Sequence, residues 1–233
     1  MRKLSTLGLV VMLLVAGMTA VPPAAKAQGP GLVSSIINKM DRNRRDMRSL
    51  RSGVWMQKYN VQTRSEDNYV GDVQYVPGSG RNVNVRIDWR KPAVEILSVS
   101  GGKYTLLKPR LKMAYVGSTN SKNTKASGVL GFGLNVSKAQ LAANYEPLQL
   151  LGEGTLEDGG PHVWWLKLVP KGRADFKHAE IWVDDSGMPI QTRVIERNGD
   201  MTTVRLINPQ KNAAIASDAF DLKLGSDIKI VKG

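Results

Sequence analysis

Between Leu32 and Leu50 the apolar residues Leu32, Val33, Ile36, Ile37, Met40, Met47 and Leu50 recur three and four positions apart. That spacing returns side chains to one face of a helix and leaves Lys39, Arg42, Arg44, Arg45, Arg48 and Arg51 largely on the other. Ser52-Gly53 supplies a stop. A basic amphipathic helix of this kind either docks on a core with its outer face solvated or lies on a membrane surface. From Gly53 onward the helical period gives way to alternation. In Arg81 to Arg90, Val83, Val85, Ile87 and Trp89 alternate with Asn82, Asn84, Arg86, Asp88 and Arg90, as in a strand with one face on an apolar interior and one in water. Shorter runs of the same kind are Val54–Gln62, Asn68–Val76, Ala93–Ser98, Lys103–Leu107, Lys112–Val116, Leu148–Thr155, His162–Val169, His178–Asp184, Pro189–Arg197 and Thr202–Asn208, with Phe220–Val231 closing the chain.

The segments between these runs carry turn chemistry: Pro77-Gly78-Ser79-Gly80, Gly101-Gly102, Asp158-Gly159-Gly160, Asp185-Ser186-Gly187 and Asn198-Gly199-Asp200. Gly and Asn supply the positive φ angles of tight hairpins. About ten strands joined by short hairpins predict an antiparallel up-and-down sheet that curls towards a barrel. The expected fold is mainly β with a few helices, in one domain over residues 28–233. Gly117 to Asn135 breaks the meander: it is rich in Gly, Ser, Asn and Lys, then abruptly apolar at Val129, Leu130, Phe132 and Leu134. A connection this long in a hairpin fold is usually functional, often a lid, or else disordered. Ser137-Lys138-Ala139-Gln140 follows with capping-box spacing, predicting a short helix to about Tyr145.

The first residues change the picture of where the chain works. Met1-Arg2-Lys3 is basic, Leu7 to Val21 is uncharged and apolar or small, and Ala25-Lys26-Ala27 offers a peptidase site. This is the order of a secretory signal. The apolar stretch is about 15 residues, short of the ~20 that span a bilayer. Cleavage after Ala27 is the expectation, with a retained anchor as the alternative. Of the 233 residues, 33 are Lys or Arg and 20 are Asp or Glu; removing Arg2, Lys3 and Lys26 takes the net charge from +13 to +10. The excess suits anionic lipid, an acidic partner or solubility, and export makes nucleic acid the weakest candidate.

Candidate chemistry is sparse. Without cysteine there is no disulfide, zinc–thiolate site, thiol nucleophile or acylated lipoprotein cysteine, and His162 and His178 are the two histidines. Gly128-Val129-Leu130-Gly131-Phe132-Gly133 has the wrong glycine spacing for a dinucleotide site and reads better as a lid. Asp184-Asp185 are adjacent strand residues facing opposite ways, beside a common turn. No catalytic residues, no metal and no cofactor are expected. The apolar material is in excess instead. Around Trp164-Trp165 one face carries Trp164, Leu166 and Leu168 while the other carries Val163, Trp165 and Val169, and Trp55, Met56, Met113 and Tyr115 add bulk elsewhere. Either all of this packs into a closed core, or a concave sheet holds a hydrophobic ligand.

The stretch from Asn84 through Arg86, Trp89, Pro92 and Gly101-Gly102 to Pro109, followed by Ala179 to Gln191, Asn198 to Leu206 and Phe220 to Val231, resembles the periplasmic outer-membrane lipoprotein carrier proteins of the LolA type. The resemblance implies an unclosed antiparallel half-barrel with a helical lid over a hydrophobic cavity. It implies a monomeric carrier that takes lipoprotein acyl chains or lipid from an inner-membrane transporter to an outer-membrane receptor through the periplasm. Related half-barrels also serve as lipid or lipoprotein sensors. Against these readings stands a periplasmic hydrolase, for which the sequence names no players. The family's arginine that ties lid to sheet falls on Arg86, with Arg81 as the second match. The expected cavity lining is Val85, Ile87, Trp89, Ile96, Leu106, Met113, Leu130, Phe132 and Trp164. Two features depart from the pattern: the longer Gly- and Lys-rich segment from Gly117 to Lys125, and Gly101-Gly102 in place of an Asp-Gly hairpin.

Overall fold

A computed structural model describes residues 30–78, 83–119 and 134–232. The described residues form helices α1 (Pro30–Asp46) and α2 (Lys138–Asn144) and twelve strands. The strands are β1 (Leu50–Asn60), β2 (Ser65–Pro77), β3 (Val83–Lys91), β4 (Glu95–Ser100), β5 (Lys103–Lys108), β6 (Met113–Ser118), β7 (Gln149–Thr155), β8 (His162–Leu168), β9 (Phe176–Asp184), β10 (Pro189–Glu196), β11 (Met201–Lys211) and β12 (Lys229–Lys232). All twelve join one sheet in the order β12-β6-β5-β4-β3-β2-β1-β11-β10-β9-β8-β7, with β7 and β12 as its two edges, so the sheet is not closed.

This order keeps the expected unclosed antiparallel sheet and shows where the chain goes after the meander breaks beyond β6. The chain makes one meander, β1 to β6, then crosses to the far edge and makes a second, β7 to β11, which returns to pair antiparallel with β1. Hairpin signals fix only neighbours in sequence, and the β1–β11 seam is a long-range pairing that no turn announces. The end of the chain differs from the expectation. Of Phe220–Val231 only Lys229 onward is strand, and β12 pairs parallel with β6.

The predicted first helix ends four residues early. Met47 and Leu50 keep the three-residue spacing, yet Leu50 opens β1, and Ser52 and Gly53 lie inside that strand. The reason is tertiary. Asn212 accepts from the Arg48 N–H with its side chain (2.7 Å), Ser49 donates from Oγ to the Ala213 carbonyl, and the Asn212 N–H donates to the Ser49 carbonyl (2.8 Å). Backbone groups captured this way leave the helix ladder.

Both helices lie on the same side of the sheet. Ile36 and Met40 from α1 and Leu141 from α2 are buried with Trp164, Leu166, Leu168, Ala179, Ile181 and Val183 of β8 and β9. The residues Trp164–Val183, Leu166–Ile181 and Leu168–Ala179 are cross-strand partners, so they share one face. The capping box forms as the sequence predicts: Ser137 Oγ accepts from the Gln140 N–H, and the Gln140 side chain accepts from the Ser137 N–H. Among the described residues no helix is long and apolar enough to cross a membrane.

Asp41 joins the two helices. Its Oδ1 accepts from the Lys138 N–H (3.2 Å) in the first turn of α2, and its carboxylate pairs with Arg44 (3.2 Å) and Arg45 (3.5 Å). Burial raises this carboxyl's pKa, but the Lys138 N–H and the two arginines outweigh it and hold the group below its ordinary value. A carboxyl shifted down by folding stabilises fully above its unfolded pKa and loses that stabilisation as pH falls through the folded one. Thermal melts followed from neutral pH to below about pH 4 should therefore show a decline that Asp41→Asn flattens, the variant starting from a lower melting temperature at neutral pH.

Candidate functional site

Register decides which of the alternating side chains meet. From β1 outward, Leu50 stands opposite Tyr75, which stands opposite Val85, then Val99, then Tyr104. A second row runs Val73, Ile87, Leu97, Leu106 and Tyr115, and a third runs Trp89, Glu95, Lys108 and Met113. These rows lie on the face that carries the helices, because Met56 of β1 pairs with Val204 of β11, which pairs with Thr192 of β10, which pairs with Ile181 of β9 under the helices. Apart from Glu95 and Lys108 these rows are apolar, and their burial is graded. Val73, Tyr75, Val85, Ile87 and Trp89 are buried, whereas Leu97, Val99, Leu106, Tyr115 and Met113 are half-exposed. The half-exposed apolar surface thus sits at the β4–β6 end.

The other end of this face is filled. Between α2 and the sheet the space left among Met40, Val136, Leu141, Tyr145, Leu168 and Ile181 is only about 10 Å³. A single water needs roughly that much, so no alkyl chain enters there. Trp164, a predicted cavity residue, belongs to this filled half, under α1 with the Lys39 ammonium 4.3 Å above its ring.

Of the remaining predicted residues, Val85, Ile87, Trp89, Leu106 and Met113 share the helix-bearing face. Ile96 does not, and this is a correction: Ile96 pairs with Leu107 and Asp88, on the opposite face, while Leu97 takes the place beside Leu106. The two-residue turn Gly101-Gly102, both at positive φ (57° and 75°), closes Ser100 on Lys103 and so fixes this register. Counting back from that turn brings Leu97 opposite Leu106 from sequence alone. Leu130, Phe132 and Arg81 lie outside the described residues.

Arg86 also lies on the back face, beside its register partner Ser98. Its guanidinium pairs with Asp88 (3.0 Å) and donates from Nη1 to the Ala219 carbonyl (3.0 Å), and Ser98 Oγ donates to the next carbonyl, Phe220. Among the described residues Arg86 therefore ties the C-terminal segment, not a helix, to the sheet. That segment crosses the back of β3 and β4 before pairing as β12 with β6.

Sequence reasoning missed a polar cluster at the open end of the apolar rows. Lys108 Nζ lies 2.9 Å from Glu95 Oε1, and the bond to Glu95 raises the lysine's pKa against the opposing effect of burial. Tyr69 stands over Trp89 edge-on (5.7 Å between ring centres), and burial followed by the charges of Asp67 and Glu95 raises its pKa. Deeper in the same face the Tyr75 hydroxyl is buried with no hydrogen-bond partner among the described residues, and burial pushes its pKa up to about 12. The arrangement offers a long apolar strip with a charge pair and tyrosine hydroxyls at its mouth.

The histidines are structural in their contacts. His162 Nδ1 lies 3.0 Å from Asp185, and His178 lies 3.6 Å from Glu180. Asp184 closes its own turn by accepting from the Ser186 N–H, the Ser186 hydroxyl and the Met188 N–H. The back face has a shallow groove of about 370 Å³ lined by Gly53, Trp55, Val70, Arg90, Arg205 and Ile207.

A sequence model of the outer membrane lipoprotein carrier protein LolA family matches residues 81–223. The chain belongs to the LolA family. Among solved structures it is similar to an uncharacterized conserved protein of Thermus thermophilus, with 11% identity and a TM-score of 0.54 over 87% of this chain and 99% of that one. It is likewise similar to MucB, with 17% identity and a TM-score of 0.55 over 86% of this chain and 66% of that one. At these identities the likeness is one of fold. No curated protein sequence matches the chain. The family match covers β3 to β11, and so contains every apolar row on β3 to β6 and the segment that Arg86 holds.

Proposed function

We propose that this LolA-family protein is a non-enzymatic periplasmic carrier that holds lipoprotein acyl chains or lipid against the β4–β6 end of its helix-bearing face. The observation that carries the reading is the half-exposed strip Leu97, Leu106, Tyr115 and Met113, continuous with the buried Val85, Ile87 and Trp89. Exposing an alkyl chain to water costs about 0.8 kcal/mol per methylene, so a sixteen-carbon tail needs a container worth roughly 12 kcal/mol to cross an aqueous space. A strip that is already half-covered by protein gives such a tail apolar contact without demanding a closed cavity. Met113 and the unbranched reach of Lys108 keep the strip adaptable, which suits loading and release. The signal-like leader supports export, and the inner-membrane transporter and outer-membrane receptor remain the partners this reading names.

The test separates a carrier from a sensor. Delipidated protein is mixed with donor vesicles holding a fluorescent acylated peptide and with unlabelled acceptor vesicles. Transfer whose rate rises with protein concentration is the expected result. Tight acyl binding without transfer would instead support the sensor reading, and neither binding nor transfer would remove the proposal.

A further inference from the structure

Alternating strand direction puts the β1–β2, β3–β4 and β5–β6 turns at one end of the sheet, together with the start of β12. Among the described residues, four of the six exposed large apolar side chains lie there: Val61, Val94 (58% exposed), Leu111 (59%) and Ile230 (55%). Val94, Leu111 and Ile230 stand exposed in turns or on an edge strand, whereas the Val61 side chain also lies against Gly199 of the β10–β11 turn. Each hairpin tip also carries cations. Arg64 follows Val61, Arg90 and Lys91 precede Val94, and Lys108, Arg110 and Lys112 surround Leu111. Arg90, Lys108 and Lys112 are paired with Asp72, Glu95 and Asp227, but Arg64, Lys91 and Arg110 form no ion pair among the described residues. The turns at the opposite end carry Glu157, Asp158, Asp184 and Asp185 and no exposed large apolar residue in the described chain. Neighbouring hairpins of a meander stand about 10 Å apart, so three tips form a row, not a point.

We infer that this end of the sheet docks on an anionic lipid bilayer, with Val94 and Leu111 entering the headgroup layer and Lys91 and Arg110 facing lipid phosphates. An aliphatic tip flanked by unpaired cations is the combination such a surface selects. The apolar group gains from leaving water, and a surface negative potential attracts each nearby Lys or Arg. A soluble protein partner of acidic character would reward the cations but not aliphatic side chains such as Val94, Leu111 and Ile230 spread along a rim. Exposure and charge carry this docking, which does not require that the apolar strip bind acyl chains.

The experiment uses the chain from Gln28 onward, which contains every described residue, and phosphatidylcholine vesicles with or without phosphatidylglycerol. Co-sedimentation with the anionic vesicles is expected, weakening with salt. Lys91→Ala with Arg110→Ala should reduce partitioning about 25-fold, at roughly fivefold per cation. The charge-matched pair Arg48→Ala with Lys103→Ala, at the other end, should change it less than about twofold. Because the chain has no cysteine, Val94→Cys accepts a single polarity-sensitive label, which should shift to the blue on anionic vesicles while the same label at Lys103→Cys stays unchanged. No binding to anionic vesicles, equal losses from both alanine pairs, or a Val94 label that stays in water while the protein binds would each overturn the inference. Acyl binding measured on the same preparations reports separately on the carrier reading.

Discussion

Gly187→Ala should lower stability by about 3 kcal/mol, roughly three times the loss from Gly101→Ala, although both residues have positive φ. At Gly187 (φ 86°) an added Cβ would stand 2.4 Å from the carbonyl carbon and oxygen of Lys39 and 2.8 Å from the Met40 nitrogen. Those are backbone atoms of α1, which cannot rotate away. The β9–β10 turn would have to leave the helix, and Asn43, which donates to the Met188 sulfur (3.6 Å) and accepts from Lys211 (2.8 Å), would lose its seat. At Gly101 (φ 57°) the same Cβ meets nothing within 4 Å, so only the backbone cost of about 1 kcal/mol applies. Urea unfolding of the two variants measures the difference. Equal losses would mean that the turn does not bear on α1 and that the helix is free to lift from β8 and β9.

Leu106→Asp and Leu97→Asp should each weaken acyl binding at least 30-fold, whereas Ile96→Asp and Leu107→Asp should leave it within about threefold. The four residues occupy two strands at neighbouring positions and differ chiefly in the face they present. Leu97 and Leu106 are cross-strand partners on the helix-bearing face, and Ile96 and Leu107 are partners on the back. Losing the contact of one leucine with an alkyl chain forfeits about 2 kcal/mol, and a carboxylate in its place adds a desolvation cost. All four sites are half-exposed, so folding should survive and melting temperatures serve as the control. Binding of a fluorescent fatty acid to delipidated protein gives the ratio directly. A similar loss in both pairs would show that the ligand does not distinguish the faces.

Much of this site was legible in the chain because alternation and turn residues are local signals. The Arg81–Arg90 pattern marks β3 to within two residues at each end, and Ser137 with Gln140 marks the start of α2. What local signals leave open is sidedness. Alternation places Ile96 and Leu97 on opposite faces without saying which one joins Leu106, and the answer needs the Gly101-Gly102 register. Long-range capture was also hidden. The spacing Met47 to Leu50 continues a helix, and only Asn212 and Ala213, far along the chain, break it. Arg86 shows the same limit, since its partner carbonyl at Ala219 comes just before Phe220–Val231, a segment whose sequence reads as strand. The charge pair Glu95–Lys108 joins residues that no motif links and that a hairpin brings together.

A carrier must have the strip from Leu97 to Met113 occupied in the cell. Protein purified intact from its native envelope and examined by native mass spectrometry should carry a bound mass equal to an acylated species, released on gentle activation. The same preparation of Leu106→Asp should fly without it. Wild-type protein that arrives bare, from an envelope in which acylated lipids are abundant, would contradict the carrier reading.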